Sequence, residues 1–183
     1  MPTPHFVHIG TDHHGAAHDS LVRLDAEYLA WVRSELAKRF PTLATDGGAL
    51  PRPGGDAEML KALYTSHPPG NVLYLIEIDG DAAGMCGLRG LGRDTAEIKR
   101  LYVRPAYRGM RLGSSALRRL VADACQRGYA RVCLDTADFM TAAHRLYEAH
   151  GFTDCAAYEG TEVPAALHRQ WRFMQRAITM PCP

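Results

Sequence analysis

A turn rich in glycine and arginine, placed between a strand and a helix, has the residue types that bind a phosphate group. Residues 98–103 favour a strand, and Pro105 ends it because proline has no backbone N–H to donate. The pattern from Ser114 onward predicts a helix, whose first N–H groups have no intrahelical partner and carry a partial positive charge. An anion binds well at such a helix start. Gly109 and Gly113 give the turn backbone freedom, and Arg108 and Arg111 give it positive charge.

A second segment that could take part in a reaction lies between residues 140 and 152. Its apolar side chains recur at helical spacing, and Gly151 follows as the expected C-terminal cap. The segment carries Tyr147, whose phenol can donate a proton. The alternative is that Tyr147 is a core aromatic residue whose hydroxyl bonds to the backbone.

The two segments resemble, in order and in separation, the signatures of the GNAT acetyltransferase superfamily. Arg108 and Gly113 match the first and last defined positions of its pyrophosphate motif, Arg/Gln-x-x-Gly-x-Gly/Ala, while Arg111 stands at the position of the middle glycine. The downstream run resembles the signature that ends in Leu-Tyr-x-x-x-Gly-Phe, with Ala142 where many members carry Asn. The resemblance runs from about residue 71 to residue 152, and more weakly to both termini.

The elements that would position these segments follow the order β-α-α-β-β-β-α-β-α-β-β. The resemblance implies an α/β (α+β) GNAT fold, a central mixed, mostly antiparallel twisted sheet of about six or seven strands flanked by about four helices, with two splayed parallel strands at its centre. Asp79-Gly80 predicts a tight hairpin between two of the strands. The predicted helices cover residues 19–40, 57–64, 114–127 and 140–150, and the predicted strands cover residues 5–9, 71–78, 82–89, 97–103, 131–136, 152–158 and 171–178.

For the cofactor, the resemblance implies acetyl-CoA, used as a co-substrate without a metal. The pantetheine arm would pair with the backbone of the first splayed strand, as in strand addition. The pyrophosphate would lie on the N–H groups of residues 109–114, with arginine support. The implied cofactor-binding residues are Leu101, Tyr102, Val103, Arg108, Gly109, Met110, Arg111, Leu112, Gly113 and Ser114.

The resemblance also implies roles in catalysis and in acceptor binding. Tyr147 would be the general acid, and Glu97 would be the general base through water, since a partly desolvated carboxylate can have a raised pKa. The alternative for Glu97 is an ion pair with Lys99 or Arg100 at a strand edge, and an expected strand bulge leaves its facing open. The acceptor pocket would be lined by the first two helices, the loop between them and the last hairpin, which makes candidates of Tyr28, Trp31, Arg33 and Tyr158. For the first two of these, core packing is the alternative.

Composition argues against several classes of protein. The 183 residues favour a single domain, residues 1–183, and a net charge of +1 argues against a dedicated nucleic-acid binder. No apolar run approaches membrane-spanning length and no secretory segment follows Met1, so a cytoplasmic protein is expected. The five cysteines include no Cys-x-x-Cys pair, and His14 and His18 have helical ligand spacing without a clear third ligand, so no metal site is predicted.

The predicted function is therefore that of an enzyme, an acetyl-CoA-dependent N-acetyltransferase acting on a primary amine of a small molecule or peptide. One alternative is a non-catalytic acyl-CoA-binding module that senses or regulates, and another is an acyltransferase that uses a longer acyl-CoA. The protein would have no nucleic-acid or membrane partner and would act as a monomer or homodimer. The motifs leave the acceptor, the acyl-chain preference and the oligomeric state open.

Overall fold

The computed structural model describes residues 3–10, 15–41, 60 and 71–179. The strands are β1 (His5–His8), β2 (Val72–Ile78), β3 (Asp81–Gly90), β4 (Thr95–Val103), β5 (Arg131–Ala137), β6 (Thr153–Asp154) and β7 (Trp171–Ala177). The α-helices are α1 (Ala16–Arg39), α2 (Leu112–Gln126) and α3 (Thr141–Ala149), and short 3-10 helices cover Pro105–Tyr107 and Ala165–Gln170. The predicted helix over residues 57–64 lies outside the described residues, apart from Leu60, which is helical and buried.

The seven strands form one mixed sheet in the order β1-β2-β3-β4-β5-β7-β6. All neighbouring strands pair antiparallel except β4 and β5, which are parallel. Two parallel neighbours need a crossover connection, and α2 provides it here. The predicted α/β fold, with a mostly antiparallel sheet and one parallel pair at its centre, is confirmed.

The turn between β2 and β3 is the one that the sequence predicts. Its two central residues, Asp79 and Gly80, have φ angles of 51° and 86°. Two successive positive φ values define a type I′ turn, whose twist matches that of the flanking strands. The hairpin thereby brings β3 beside β2 and leaves the far edge of β3 free to pair with β4.

Helices cover the two faces of the sheet. On one face, α2 and α3 pack against the strands in a core that includes Ile98, Leu117, Leu120, Leu134 and Tyr147. On the other face, α1 packs in a core that includes Leu21, Leu24, Leu73, Leu75 and Met85. Successive strand residues face opposite sides, so Glu97 and Lys99 face the α1 side of the sheet while Ile98 faces α2.

The two parallel strands separate after a short paired start. Only three residue pairs join β4 to β5: Thr95 with Arg131, Ala96 with Val132, and Glu97 with Cys133. Beyond this point β4 contains the expected bulge, where Arg100 and Leu101 together lie opposite Cys86 of β3. Arg100 has a φ of 56°, and a bulge of this kind increases local twist. The predicted splay of the central strands is therefore present, and it opens a gap in the sheet.

The bulge also fixes an ion pair between β4 and α1. Arg100 Nε lies 2.7 Å from Asp25 Oδ1, and the two side chains are only 10% and 2% exposed. The Arg100 guanidinium lies 5.9 Å from the centre of the Tyr28 ring, also on α1. Ordinary strand alternation would direct residue 100 toward α2, so the extra residue in β4 is what brings this arginine to the α1 side.

The strand predicted over residues 152–158 is wrong in its length. Its hydrogen-bonded part, β6, covers only Thr153–Asp154, and one further bond joins Cys155 N to Phe173 O at 2.9 Å. The chain then leaves the sheet, and Tyr158 turns its hydroxyl inward to Glu97 Oε1 at 2.7 Å. Burial of a carboxylate requires such donors, and this requirement outweighs the strand propensity of the segment.

Arg100 gives a stability prediction. Arg100→Ala should lower the free energy of unfolding by about 3–5 kcal/mol, because it leaves the Asp25 carboxylate buried without its cation. Arg100→Gly loses the same pair but adopts the positive φ freely, so it should be more stable than Arg100→Ala by about 1 kcal/mol. Urea unfolding of the two variants measures both values. An alanine variant as stable as the unmodified protein would show that the pair does not hold β4 to α1.

Candidate active site

A cavity of about 580 Å³ fills the gap between the diverging ends of β4 and β5. Its walls are the second half of β4, the turn that follows it, the first turn of α2, the end of β5, the start of α3 and two aromatic residues of α1. We call this cavity the cleft. Because β5 no longer pairs with β4 beyond Glu97, the β4 backbone along the cleft has no strand partner on that side among the described strands. An extended ligand arm can pair with such an edge.

The turn after β4 forms the predicted phosphate-binding end of the cleft. Gly109 has a φ of 84°, and Arg111, which precedes α2, has a left-handed conformation with a φ of 59°. The helix begins at Leu112, two residues earlier than predicted, so its unpaired first-turn amides belong to residues 112–114. Arg111 thus adopts the backbone angles that a glycine would adopt most easily, at a cost of about 1–2 kcal/mol for a side chain with a Cβ.

A neighbouring helix limits the size of the side chain that fits at position 113. A Cβ atom at this position would lie 3.1 Å from Leu146 Cδ2 of α3, which is tighter than ordinary van der Waals contact. The two helices therefore meet closely at the wall of the cleft, where both residues line it. The requirement for glycine here comes from helix–helix approach, whereas at Gly109 it comes from the positive φ.

Charged and polar side chains surround this end of the cleft. Arg108 and Arg111 are exposed, and Arg108 Nε donates to Val103 O at 3.3 Å. Ser114 Oγ lies 2.7 Å from His150 Nε2 and accepts from Arg118 at 3.0 Å. Burial lowers the pKa of His150, and the nearby Arg118 and Arg176 lower it further, which favours the neutral imidazole. The predicted cofactor residues line the cleft with one exception: Met110 is exposed and lies outside it.

Tyr147 lies inside the cleft, on α3. Its side chain is 6% exposed, and its ring lies 5.9 Å from that of Phe152. Burial raises the pKa of the phenol, with smaller contributions from Tyr28 and Asp135, so Tyr147 is protonated at neutral pH. Among the described residues its hydroxyl has no hydrogen-bond partner, which does not fit the alternative of a core tyrosine bonded to the backbone. Tyr147 is instead part of the cleft wall.

Glu97 lies at the point where β4 and β5 part, beneath the cleft rather than in its wall. The residue is 0% exposed, and its carboxylate accepts from Arg89 Nε at 2.9 Å, from Tyr158 at 2.7 Å and from Lys99 at 3.3 Å. A second, short contact joins it to the Arg89 guanidinium. Desolvation raises the pKa of Glu97, while Lys99, Tyr158 and Arg89 oppose the rise. Of the two ion pairs considered from sequence, the one with Lys99 is present, whereas Arg100 pairs with Asp25 instead.

Asp135, on β5, is the acidic residue that lines the cleft. Its Oδ1 accepts from Trp171 Nε1 at 3.1 Å, and its Oδ2 lies 3.3 Å from Lys99 Nζ and 3.4 Å from the Tyr158 hydroxyl. Lys99 and Tyr158 therefore each bridge Asp135 and Glu97. Burial lowers the pKa of Lys99, but Asp135, Glu97 and Glu162 outweigh this effect and the pKa is raised, so Lys99 stays charged.

The structure places two of the four predicted acceptor residues in the cleft wall and two outside it. Tyr28 and Trp31 line the cleft from α1, Tyr158 bonds to Glu97 beneath it, and Arg33 does not line it. Sequence reasoning missed Asp135, Phe139 and Arg100, which all line the cleft. A signal for Asp135 was present, because a carboxylate that directly follows the apolar run of residues 132–134 in a buried strand requires polar partners.

The comparisons with known proteins identify the family. The model of the Acetyltransferase (GNAT) family matches residues 32–152, and the chain belongs to this family. An uncharacterised N-acetyltransferase of Schizosaccharomyces pombe is 30% identical over 115 residues, which are 62% of this chain and 71% of that protein. The human N-acetylaspartate synthetase is 30% identical over 102 residues, or 55% of this chain, and the match spans about a third of that relative's length, 34%. The chain is an acyl-CoA-dependent acetyltransferase of this family.

Solved structures show the same fold. An acetyltransferase from Streptococcus agalactiae superposes with a TM-score of 0.66 at 19% identity, covering 94% of this chain and 98% of the other. A GNAT family acetyltransferase from Elizabethkingia anophelis, whose structure has acetyl-CoA bound, superposes with a TM-score of 0.59 at 16% identity, covering 96% and 97%. Within the residues described here, no helix is long and apolar enough to cross a membrane, and no group of histidine, cysteine and acidic side chains is placed to hold a metal.

The first turn of α2 gives a binding prediction. Gly113→Val should weaken acetyl-CoA binding by at least about tenfold, because its side chain must displace Leu146 in the cleft wall. Arg111→Ala should weaken binding less, since it removes only an exposed charge. Calorimetry measures both affinities, and the double variant Gly113→Val/Leu146→Ala should recover part of the loss. Full-strength binding by Gly113→Val would show that the first turn of α2 does not hold the cofactor.

Proposed function

We propose that the protein, as a single domain spanning residues 1–183, transfers an acetyl group from acetyl-CoA to a primary amine of a small molecule or peptide. The observation that carries this proposal is one cleft with two ends of different chemistry. At one end lie the first amides of α2, a turn with positive φ angles and exposed arginines. At the other end, the buried and neutral phenol of Tyr147 lies above a set of carboxylates. These features fit an anionic thioester and an amine that must lose a proton.

The fit to acetyl-CoA rests on the described residues at the first end. Residues 109–114 would hold the pyrophosphate through backbone amides, with Arg108 and Arg111 as charged support. The free edge of β4 at Leu101 and Val103 would pair with the pantetheine arm. When bound, acetyl-CoA supplies an acyl group activated as a thioester. The chain's contribution at this end is to hold and orient it, and positioning alone can supply a large part of the rate.

Tyr147 would protonate the thiolate as it leaves. The raised pKa of its buried phenol keeps the proton in place at neutral pH, and its hydroxyl is committed to no protein partner among the described residues. Transfer from a positioned acid contributes typically about 10²–10⁴-fold to a rate. A module that only binds acyl-CoA has no use for such a donor, which favours the enzyme over a sensor.

Glu97 would receive the proton of the amine, though not by direct contact. The Tyr158 hydroxyl bonds to Glu97 Oε1 at 2.7 Å and lies 3.4 Å from Asp135 Oδ2, so it links the buried carboxylate to the one in the cleft wall. A proton taken up at Asp135 can therefore reach Glu97 when the Tyr158 hydroxyl gives its own proton to Glu97 and accepts another. The pKa of Glu97 is raised by burial, which makes it a better proton acceptor than an ordinary glutamate.

The experiment that tests the proposed function is turnover of acetyl-CoA with primary amines by the unmodified protein and by Tyr147→Phe. The variant keeps the ring and deletes the proton donor, so turnover should fall by about 10²-fold or more while acetyl-CoA affinity is almost unchanged. Tyr129→Phe is the matched control, because Tyr129 is equally buried but does not line the cleft. Unchanged turnover by Tyr147→Phe would contradict the acid role. Absence of amine acetylation by the unmodified protein would contradict the proposed function itself.

A second prediction concerns Glu97 and pH. An ammonium group has no free electron pair, so Glu97→Gln should lower turnover most near neutral pH, where most of the amine arrives protonated. At alkaline pH the solution supplies free amine, and the variant should regain much of its rate. Glu162→Gln is the matched control, because Glu162 touches the same two cations, Arg89 and Lys99, from the more exposed side. Equal impairment of Glu97→Gln at every pH would assign Glu97 to structure or substrate binding instead.

A further inference from the structure

The α1 side of the cleft differs in chemistry from the phosphate-binding side. We infer that the acceptor is a cationic amine carried on an apolar or aromatic body without a neighbouring carboxylate, and that it binds between Asp135 and the rings of Tyr28, Trp31 and Phe139. We call these three rings the aromatic wall. The inference rests on the proposed function and specifies the substrate class that the site accepts.

The aromatic wall is built from two separate elements. Trp31 of α1 and Phe139, which follows β5, meet edge to face with ring centres 5.5 Å apart, and Tyr28 lies 6.3 Å from Trp31. All three rings line the cleft, and each keeps some exposure. Such a wall gives apolar contact to a hydrocarbon group and attracts a cation to its ring faces. Core packing, the alternative considered from sequence for Tyr28 and Trp31, therefore does not account for them fully.

Asp135 provides the charge that an ammonium group needs. It is the acidic residue among those lining the cleft, and it lies on the face of the sheet that α1 covers. Its two oxygens are held by Trp171, Lys99 and Tyr158, which fixes the orientation of the carboxylate. An ammonium bound against Asp135 would lie beside the Tyr158 hydroxyl. That hydroxyl links Asp135 to Glu97, the proposed acceptor of the ammonium proton.

The cations near this side of the cleft already have carboxylate partners. Arg100 pairs with Asp25 at 2.7 Å, and Arg39, whose guanidinium lies 5.2 Å from the Phe139 ring centre, pairs with Glu35 at 3.2 Å. Lys99 contacts three carboxylates, those of Glu97, Asp135 and Glu162, at 3.2–3.3 Å.

Arg89 is the second cation of the buried cluster and bonds to two of the same carboxylates, Glu97 and Glu162. The cluster of Arg89, Lys99, Glu97, Asp135 and Glu162 therefore carries one more negative than positive charge. A substrate carboxylate placed here would face this excess, and like charges repel more strongly in a partly buried site than in bulk water. A lone ammonium would instead complete the charge balance.

This inference separates the chain from one group of its relatives. By their name, the N-acetylaspartate synthetases make an acetylated amino acid that bears carboxylates. Lys99, Arg100 and Arg39, the cations named above, each already have a carboxylate partner that a substrate carboxylate would have to displace. We therefore expect this protein to discriminate against aspartate and other free amino acids.

The test compares amines that differ by one group. 2-Phenylethylamine and L-phenylalanine both carry an ammonium and a phenyl ring at neutral pH, and only the second has a carboxylate. We expect kcat/KM to be at least about tenfold higher for 2-phenylethylamine, with L-aspartate lower still. L-Phenylalanine amide is the steric control, since it matches L-phenylalanine in size without its charge, and it should exceed L-phenylalanine. Ethylamine tests the aromatic wall and should be a poorer substrate than 2-phenylethylamine.

A variant links the discrimination to its cause. Asp135→Asn keeps the size of the side chain and removes its charge, so the preference for 2-phenylethylamine over L-phenylalanine should shrink severalfold and KM for the amine should rise. Asp138→Asn, which changes an exposed aspartate three residues away, should leave the preference unchanged. Calorimetry of 2-phenylethylamine and of L-phenylalanine binding to the protein saturated with CoA gives the same comparison without turnover.

The outcomes distinguish the inference from the proposed function. A preference for L-phenylalanine or L-aspartate would overturn the inference while acetyl transfer stands. An unchanged preference in Asp135→Asn would likewise overturn it. Selective binding of 2-phenylethylamine without acetyl transfer to any amine would support the acceptor site and overturn the proposed function.

Discussion

The structure depends on the early parting of two parallel strands. β4 and β5 share three residue pairs and then separate, so each exposes backbone donors and acceptors in the middle of a sheet. Such groups must find partners elsewhere, and a sheet interior with a free edge is a place for a ligand to pair. The bulge at Arg100 and Leu101 adds twist at this point and brings an arginine onto α1. The cleft, its free edge and its contact with α1 all follow from this local break in pairing.

Burial of charge at the point where β4 and β5 separate is the second constraint. Glu97 and Lys99 lie two residues apart on one face of β4, and both are almost fully buried. Removing a carboxylate and an ammonium from water is costly, and here the cost is offset by close contacts with Arg89, Asp135, Tyr158 and Glu162. Some of these partners come from the segment after β6, which leaves the sheet early to supply them. A cluster of this kind contributes less to stability than an apolar core would. Its presence at this point therefore fits a role in proton transfer.

The turn after β4 departs from the family pattern at one position. Arg111 stands where the family motif has a glycine, and it has the left-handed conformation that favours glycine. The conformational cost is modest, and the guanidinium adds positive charge where a phosphate would bind. At Gly113 the constraint is different, because a side chain there would press on Leu146, whereas the backbone angle does not require glycine.

Much of the fold and of the turn after β4 was predictable from sequence, because those features are local. The Asp79-Gly80 turn, the strand before Pro105, the turn with Arg108 and Gly113, and the helix that carries Tyr147 each depend on neighbours along the chain. The membership of the family, the mixed sheet and the position of Tyr147 in the cleft follow from them. The α1 side of the cleft was not predictable, because it is assembled from α1, β4, β5 and the segment after β6. Only the tertiary structure decided that Glu97 lies beneath the cleft, that Asp135 lines it and that Arg100 turns to Asp25, since burial and charge pairing between distant segments select those positions.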